Sequence, residues 1–209
     1  MNSDFLTGIL PIVVVIGAYL LGSISFAVVV SRVMQLPDPY TYGSKNPGAT
    51  NVLRTGNKKA ALYTLLGDSL KGFIVVVLAG KLFSDQGDAS WVLPGAMIAV
   101  FIGHVLPIFH RFQGGKGVAT AAGILIGVNG ILGLATMATW LIIAFFFRYS
   151  SLAALSAAAF APFYAVLLFG MQPICGAILF ISAVLIWRHR QNIKNLLAGT
   201  ETKIGSKKK

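Results

Sequence analysis

The stretch that decides the fold is residues 118–147, which read VATAAGILIGVNGILGLATMATWLIIAFFF. Asn129-Gly130, a turn signal, stands near the middle of this otherwise apolar run. As one helix its 30 residues would be ~45 Å long, too long for a hydrocarbon core of ~30 Å without steep tilt. The alternative is a helical hairpin of two helices of ~22 Å each, with the turn at Asn129-Gly130 on the outer face.

The distribution of lysine and arginine favours the hairpin. If residues 118–147 crossed the membrane only once, Arg148 and the basic C-terminal region would lie opposite the other basic loops, against the positive-inside rule. With the hairpin, 15 of the 17 Lys and Arg residues lie inside, whereas Lys81 lies outside and Lys71 lies within a segment. The predicted segments are about 6–30, 60–83, 91–109, the two arms of 118–147, 152–170 and 173–187.

The composition places the chain in the class of membrane proteins. It is 56% hydrophobic and only 11% charged, less than half the charge of ~25% that is usual for soluble domains. We therefore predict an all-α polytopic membrane protein with about seven transmembrane helices, its N-terminus outside and its C-terminus cytoplasmic. Residues 1–209 form a single domain embedded in the lipid bilayer, without an internal repeat or a soluble domain.

The same composition limits the partners and metals that we expect. The net charge of +11 follows from the positive-inside bias, and no nucleic-acid-binding signature accompanies it, so no nucleic acid partner is expected. One cysteine, Cys175, provides neither a disulfide framework nor a cysteine-based metal site. The sequence also has no cluster of carboxylates for a metal, and we predict none.

Three polar stretches share the cytoplasmic face in this topology, and the first is GSKNPGATNVLR at residues 43–54. Its glycines and Pro47 predict loop backbone rather than helix. Glycine lets main-chain N–H groups approach a ligand, and the arginine fork matches a phosphate. The alternative is a loop whose polar residues satisfy their own backbone and cap the next helix. The candidate phosphate-binding residues of this stretch are Gly43, Ser44, Asn46, Gly48, Thr50, Asn51 and Arg54.

The second and third stretches are GGKG at residues 114–117 and WRHRQNIK at residues 187–194. GGKG directly before a helix favours an anion site to which Lys116 adds a full charge, although a plain turn is the alternative. It is not a Walker A loop, because glycine follows the lysine. In the tail, His189 and Asn192 are three apart and would share a helix face. We interpret Arg188, Arg190 and Lys194 as stop-transfer charges at lipid headgroups, and His189 could equally be a solvated interfacial histidine.

Three ionisable residues fall within apolar segments. Asp68 and Lys71 are three apart on one helix face and should either pair or face the site, because charges are costly in a membrane. His104 lies near the inner end of the third segment, where it either faces the site or satisfies a neighbouring backbone group.

The motifs that are missing restrict the chemistry. No aspartate stands five residues after any of the three histidines, so the motif of acyl-CoA-dependent glycerolipid acyltransferases is absent. There is no nucleophile elbow either. Any group transfer would therefore rely on an activated donor, cationic stabilisation and positioning. The competing class is a transporter or channel for a phosphorylated anion, which would need ligand groups reachable from both sides.

Taken together, the motifs resemble those of the bacterial acyl-phosphate-dependent glycerol-3-phosphate acyltransferases. The resemblance rests on residues 43–54, on Asp68-x-x-Lys71-Gly72, on Gly103-His104, on GGKGVAT at 114–120, on RHxxNI at 188–193 and on GTExK at 199–203. It covers nearly the whole chain, in order and with matching spacing. Lys45 is a departure, since many relatives have glycine there.

The resemblance implies transfer of a fatty acyl group from acyl phosphate to the 1-hydroxyl of glycerol 3-phosphate. It places the site on the cytoplasmic side of the inner membrane, with no cofactor, and it suggests a soluble acyl-phosphate synthase as a partner. Arg54 and Lys116 would clamp phosphate oxygens, and Ser44, Thr50 and the glycine amides would complete the cradle. His189 and Asn192 would orient the attacking glycerol phosphate. The general base is either His189 or a substrate phosphate, and family precedent favours the second. The remaining candidate binding residues are Thr50, Asp68, Lys71, His104, Gly114, Gly115, Gly117, Glu201 and Lys203.

Overall fold

The computed structural model describes residues 3–83 and 90–206, with side chains from residue 8 onward, and these ranges contain helices and loops but no strand. The short outer loop predicted at residues 84–88 lies outside the described residues. The α-helices are α1 Ser3–Gly22, α2 Phe26–Val33, α3 Ala49–Val52, α4 Lys58–Phe83, α5 Val92–Val105, α6 Val118–Val128, α7 Gly130–Phe147, α8 Ser150–Phe169, α9 Pro173–Arg188 and α10 Arg190–Leu197. Two 3₁₀ turns, Leu53–Thr55 and Ile108–His110, follow α3 and α5.

Helices α4, α8 and α9 agree with the predicted segments 60–83, 152–170 and 173–187 to within about two residues, whereas α5 ends four residues before the predicted end of segment 91–109. Four of the helical stretches are long and apolar enough to cross a membrane, namely α4, Val92–His110, α7 and α8. The bent pairs α1–α2 and α9–α10 raise that number to six if each pair is one span. Large apolar side chains lie on the outer surface, such as Phe145, which is 78% exposed. An outer surface of this kind suits lipid rather than water.

The predicted break in residues 118–147 is confirmed. Asn129 ends α6 and caps α7, because its Oδ1 accepts hydrogen bonds from the N–H groups of Ile131 and Leu132 at 2.9 and 3.1 Å. The two arms are not equal as predicted. Eleven residues give α6 ~16 Å, whereas the 18 residues of α7 give ~27 Å. The difference follows from the position of Asn129, which leaves eleven residues of the stretch for α6 before the turn and 18 for α7 after it.

The prediction of one continuous segment over about residues 6–30 is wrong, because the structure has two helices there. The segment breaks between Gly22 and Phe26, and α2 is bent by 45° from α1. Gly22 lies against the backbone of α5, where a β-carbon would stand 2.2 Å from the carbonyl oxygen of Val100. The carbonyls of Gly22 and Ile24 accept hydrogen bonds from Lys71 at 2.9 and 2.8 Å. A side chain from another helix thus replaces the helical hydrogen bonds lost at the break.

The loop prediction for residues 43–54 is wrong at its C-terminal end. Ala49–Val52 forms the single turn of α3, and Leu53–Thr55 continues it as a 3₁₀ turn. The carbonyl of Gly48 accepts hydrogen bonds from the N–H groups of Asn51 and Val52, which starts this turn. Pro47 and Gly48 therefore mark the end of the loop, and the rest of the stretch is helical.

Helix α5 lies at the centre of the packing, and α4 and α6 meet through glycines. Met97, Val100 and Phe101 of α5 are fully buried. A β-carbon on Gly123 would stand 1.9 Å from the carbonyl oxygen of Ser69, and one on Gly72 would stand 2.5 Å from that of Thr120. Small residues let helix backbones approach this closely in membrane bundles. The contact fixes where α6 begins, and hence where the GGKG loop stands.

Candidate active site

A cavity of about 470 Å³ lies where the three polar stretches meet at one end of the bundle. Each stretch contributes residues that the sequence singled out, since Ser44 and Asn46 come from the first, Gly114 and Lys116 from the second, and Asn192 from the third. The shared face expected from the topology is therefore a shared cavity. Its lining also includes Tyr40, Lys45, Gln113 and Arg188, which the sequence analysis did not place among the site residues.

Lys116 and Asn192 form one hydrogen-bonded unit in this cavity. Lys116 Nζ donates to Asn192 Oδ1 at 2.5 Å, and Asn192 Nδ2 donates to Glu201 Oε1 at 2.7 Å. Glu201 also accepts from the Ser151 hydroxyl at 2.6 Å and from Asn195 Nδ2 at 3.2 Å. Glu201 thus orients Asn192 from outside the cavity lining, and it joins the tail to the start of α8.

Positive charge is concentrated around Lys116. Burial lowers the pKa of Lys116, Glu201 raises it in opposition, and the guanidinium groups of Arg54 and Arg188 lower it further. Lys116 therefore lies near two other basic side chains, with the carboxylate of Glu201 behind Asn192. An anion that enters the cavity would relieve the repulsion between these cations.

Arg188 is a functional candidate that the sequence analysis assigned to lipid headgroups. Its Nη2 donates to the carbonyl of Gly114 at 2.7 Å, and its Nε donates to the carbonyl of Gly115 at 3.2 Å. Two donors of one rigid fork thereby hold the GGKG loop against the end of α9. The signal that could have found it is its place directly before His189 in the RHxxNI motif.

The glycines of GGKG are required by the protein's own packing. A β-carbon on Gly114 would stand 2.2 Å from the carbonyl oxygen of His104, and one on Gly115 would stand 2.1 Å from His104 Nε2. Gly117 has a φ of +85°, and a β-carbon there would stand 2.2 Å from the ring of Phe101. The N–H of Gly115 already donates to the carbonyl of His104 at 3.1 Å. Close packing therefore accounts for these three glycines without a ligand.

Asn51 holds the first loop together instead of lining the cavity. Its Oδ1 accepts from the N–H of Ser44 at 2.9 Å, and its Nδ2 donates to the carbonyls of Pro39 and Tyr42 at 2.9 and 3.3 Å. The alternative interpretation of this stretch, in which its polar side chains bond to the backbone of their own loop, therefore holds for Asn51. Gly43 has a φ of +58°, and a β-carbon there would stand 2.3 Å from Asn51 Oδ1.

Tyr40 connects the first loop with the second. Its hydroxyl donates to the carbonyl of Gln113 at 2.6 Å. The phenol is half-buried, and burial together with Asp38 raises its pKa to about 12, so that it stays a donor at neutral pH. Nothing in the sequence around Tyr40 indicates this contact, because its partner lies 73 residues away.

His189 is buried at the junction between α9 and the polar surface helix α10, and it does not line the cavity. Its Nδ1–H donates to the carbonyl of Leu185 at 2.8 Å, which leaves the lone pair of the neutral ring on Nε2. Burial lowers its pKa to about 4; the hydrogen bond to Leu185 opposes this shift and the charge of Lys116 reinforces it. The ring is therefore neutral at pH 7, and it is not the solvated histidine of the alternative interpretation.

The cavity lining also does not include Arg54 or the predicted binding residues Thr50, Lys203 and Gly48. Arg54 is exposed, with Nη1 3.4 Å from Asn51 Oδ1. The hydroxyls of Thr50 and Ser150 are 3.4 Å apart. Lys203 Nζ stands 5.7 Å from the centroid of the Tyr149 ring. Gly48 has an extended backbone with room for a β-carbon, so its own conformation does not demand glycine.

Asp68, Lys71 and His104 form a buried cluster and do not line the cavity. Lys71 Nζ is 2.9 Å from Asp68 Oδ1 and 3.0 Å from His104 Nδ1. Of the two outcomes expected for Asp68 and Lys71, the structure shows pairing. In the described part of the chain, no three His, Cys, Asp or Glu residues come together as a group of metal ligands.

Comparison with known proteins identifies the family. A family model for glycerol-3-phosphate acyltransferase matches residues 12–199. A glycerol-3-phosphate acyltransferase of Cupriavidus pinatubonensis is 64% identical over 194 residues, which cover 93% of this chain and 96% of the relative. One of Ralstonia nicotianae is 63% identical over 203 residues, which cover 97% and 98% of the two chains.

Two crystal structures of PlsY, described as an integral membrane glycerol 3-phosphate acyltransferase, match the fold. The glycerol 3-phosphate form superposes with a TM-score of 0.88 at 38% identity, over 93% of this chain and 96% of that one. The lysophosphatidic acid form gives a TM-score of 0.86 at 38% identity, over 93% and 95%. The resemblance drawn from the motifs is confirmed, and this integral membrane protein belongs to the glycerol-3-phosphate acyltransferase family.

Proposed function

We propose that the protein transfers a fatty acyl group from acyl phosphate to the 1-hydroxyl of glycerol 3-phosphate. The observation that carries the proposal is the convergence of Lys116 and Arg188 with short amide and hydroxyl donors on one cavity of about 470 Å³. Such a lining suits phosphate oxygens, because charge-assisted hydrogen bonds are the strong ones. All of these residues come from one end of the bundle, which does not favour the alternative of an anion transporter.

The proposed reaction needs no covalent enzyme intermediate. The 1-hydroxyl oxygen attacks the acyl carbonyl carbon, the new ester bond forms, and the bond between the acyl group and phosphate breaks. The products are 1-acyl-glycerol 3-phosphate and inorganic phosphate, whose developing charge Arg54 and Lys116 would stabilise. Ser44 would donate to a phosphate oxygen, and Asn192, oriented by Glu201, would position the attacking glycerol phosphate.

The acceptor of the hydroxyl proton in this scheme is a substrate phosphate. His189 is neutral at pH 7 and can accept a hydrogen bond at Nε2, but a pKa of about 4 makes it a weak base. A phosphate monoester has a second pKa of ~6, which suits proton transfer at neutral pH better than the pKa of His189 does. We therefore propose that a substrate phosphate takes the proton, and that His189, which is buried outside the cavity lining, helps to hold the junction between α9 and α10.

We further propose that the enzyme lies in the inner membrane with seven transmembrane segments and its N-terminus outside. The cavity then opens to the cytoplasm. The hairpin of α6 and α7 supports this arrangement, because Lys116 before α6 and Ser151 after α7 belong to one hydrogen-bonded network at the same end. A cytoplasmic cavity would receive acyl phosphate from a soluble acyl-phosphate synthase.

The proposal is tested with purified protein, palmitoyl phosphate and labelled glycerol 3-phosphate. We expect labelled lysophosphatidic acid with palmitoyl phosphate and none with palmitoyl-CoA, because a thioester has a poorer leaving group and presents no acyl-linked phosphate to the cations. A Lys116→Met preparation controls for contaminating activity. Comparable kcat/KM with palmitoyl-CoA would overturn the choice of donor.

A further inference from the structure

The buried cluster of Asp68, Lys71 and His104 has contacts that reach both loops of the cavity. Asp68 and Lys71 lie on α4 and His104 on α5, and all three are at most 7% exposed. Asp68 and Lys71 form an ion pair of 2.9 Å, and the same Asp68 oxygen lies 3.5 Å from His104 Nδ1. Ionisable side chains inside a membrane protein are costly, and a functional role is the default hypothesis for them.

The first connection runs from Lys71 to the break between α1 and α2. Lys71 Nζ donates to the carbonyls of Gly22 and Ile24, which have lost their helical partners at the break. Helix α2 begins directly after it and leads to the loop that carries Tyr40 and Ser44. The ammonium therefore fixes the point at which the chain turns toward the first loop.

The second connection runs from His104 to the GGKG loop. The carbonyl of His104 accepts from the N–H of Gly115 at 3.1 Å, and its Nε2 edge faces the same residue, where a β-carbon would stand 2.1 Å away. Gly115 directly precedes Lys116. Arg188 holds the same residue through the carbonyl of Gly115. The position of Lys116 is thus set between Arg188 and the His104 ring.

We propose that Asp68, Lys71 and His104 are positioning residues that fix the distance between the Ser44 loop and Lys116. The inference rests on the proposed acyl transfer. Stability alone does not explain the cluster, because a buried ion pair can often be replaced by neutral side chains of similar volume without loss of stability. A neutral apolar side chain at position 71, however, would not donate hydrogen bonds to the carbonyls of Gly22 and Ile24 and to Nδ1 of His104 at the same time.

The test is the double variant Asp68→Asn/Lys71→Met, which removes both charges at nearly constant volume and leaves no unpaired charge. We expect extracted yield and melting temperature close to wild type, with kcat/KM for glycerol 3-phosphate reduced ~100-fold, the effect of a displacement of ~1 Å at a catalytic group. The reduction should include a raised KM, because Lys116 contacts the substrates. Wild-type kinetics in a folded double variant would overturn the inference.

If the double variant does not fold, a pair of His104 variants tests the positioning role instead. In His104→Asn the amide oxygen can take the place of Nδ1 beside Lys71, whereas His104→Leu offers no acceptor. We expect His104→Asn to retain clearly more activity than His104→Leu at equal melting temperature, and equal activity of the two would overturn the inference. Absence of turnover by the wild type with palmitoyl phosphate would instead refute the proposed function.

Discussion

Two arginines, Arg188 at the end of α9 and Arg190 at the start of α10, show how differently the same charge can be used. Arg188 donates to two loop carbonyls and lines the cavity. Arg190 is exposed and lies 4.8 Å from the centroid of the Trp187 ring. Both satisfy the positive-inside rule equally well, so that rule carries no information about which one is part of the site.

Replacing Arg188 with lysine should lower activity, because an ammonium cannot reproduce the fork that holds both carbonyls. Losing one charge-assisted hydrogen bond of ~1.5–3 kcal/mol corresponds to a ~10- to 150-fold fall in kcat/KM. Arg190→Lys is the matched control and should behave like wild type. The measurement is steady-state kinetics of both variants at equal extracted yield, and equal kcat/KM for the two would contradict the assignment.

Arg54 presents a second test of guanidinium against ammonium. If Arg54 clamps two phosphate oxygens as charge moves onto the leaving group, Arg54→Lys should lose ~30- to 1,000-fold in kcat/KM, or ~2–4 kcal/mol. Folding should hardly change, because Arg54 is exposed. The comparison is wild type, Arg54→Lys and Arg54→Ala with both substrates varied. Near-wild-type kinetics in Arg54→Lys would remove Arg54 from the site.

At the residue scale, sequence patterns found the side chains whose chemistry is informative by itself. Lys116 beside glycines and Asn192 three residues after His189 were predicted as site residues, and the structure brings Lys116 and Asn192 together. Tyr40 and Arg188 were missed because their functions lie in contacts with distant carbonyls. Asn51 was misinterpreted for the same reason, since its partners are backbone groups of its own loop.

At the scale of elements, apolar run lengths predicted the long helices well and the breaks unevenly. Asn129-Gly130 is a strong local turn signal, and the structure breaks there. The break after Gly22 has no comparable signal, because a glycine is tolerated within a helix. That break depends on Lys71 of α4, which supplies the hydrogen bonds from outside, and a local pattern cannot contain it.

As an N-cap, Asn129 should contribute about 1 kcal/mol to the free energy of unfolding through the hairpin of α6 and α7. Asn129→Ala removes the acceptor for the N–H groups of Ile131 and Leu132 and should lower the melting temperature of the purified protein. Asn129→Ser keeps an oxygen acceptor and should retain most of the stability. A melting temperature for Asn129→Ala equal to that of wild type would show that packing alone makes the turn.

At the scale of the whole molecule, charge sorting predicts the orientation in the membrane. In a Cys175→Ala background, single cysteines at Ser44, Gln113 and Thr202 should react with an impermeant thiol reagent only after the cells are opened. A cysteine at Asn129 or Gln86 should react in cells whose outer membrane alone is permeabilised. The readout is labelling of the purified protein. Labelling of the Ser44 and Gln86 positions from the same side would exclude the seven-segment arrangement.

The glycine contacts have a consequence for how the protein tolerates random mutation. A saturation library would find Gly72, Gly123 and Gly115 intolerant, because the first two let helix backbones approach each other closely and the third leaves room for the ring of His104. Such a pattern would look like a ligand-binding signature while reporting on internal fit. No second substitution would relieve the strain, because a β-carbon at each position meets a backbone oxygen, that of Thr120 for Gly72, of Ser69 for Gly123 and of Pro47 for Gly115. Evolutionary drift should therefore be slow at the loop glycine as well as at the contact between α4 and α6, because a side-chain change elsewhere does not move a backbone carbonyl.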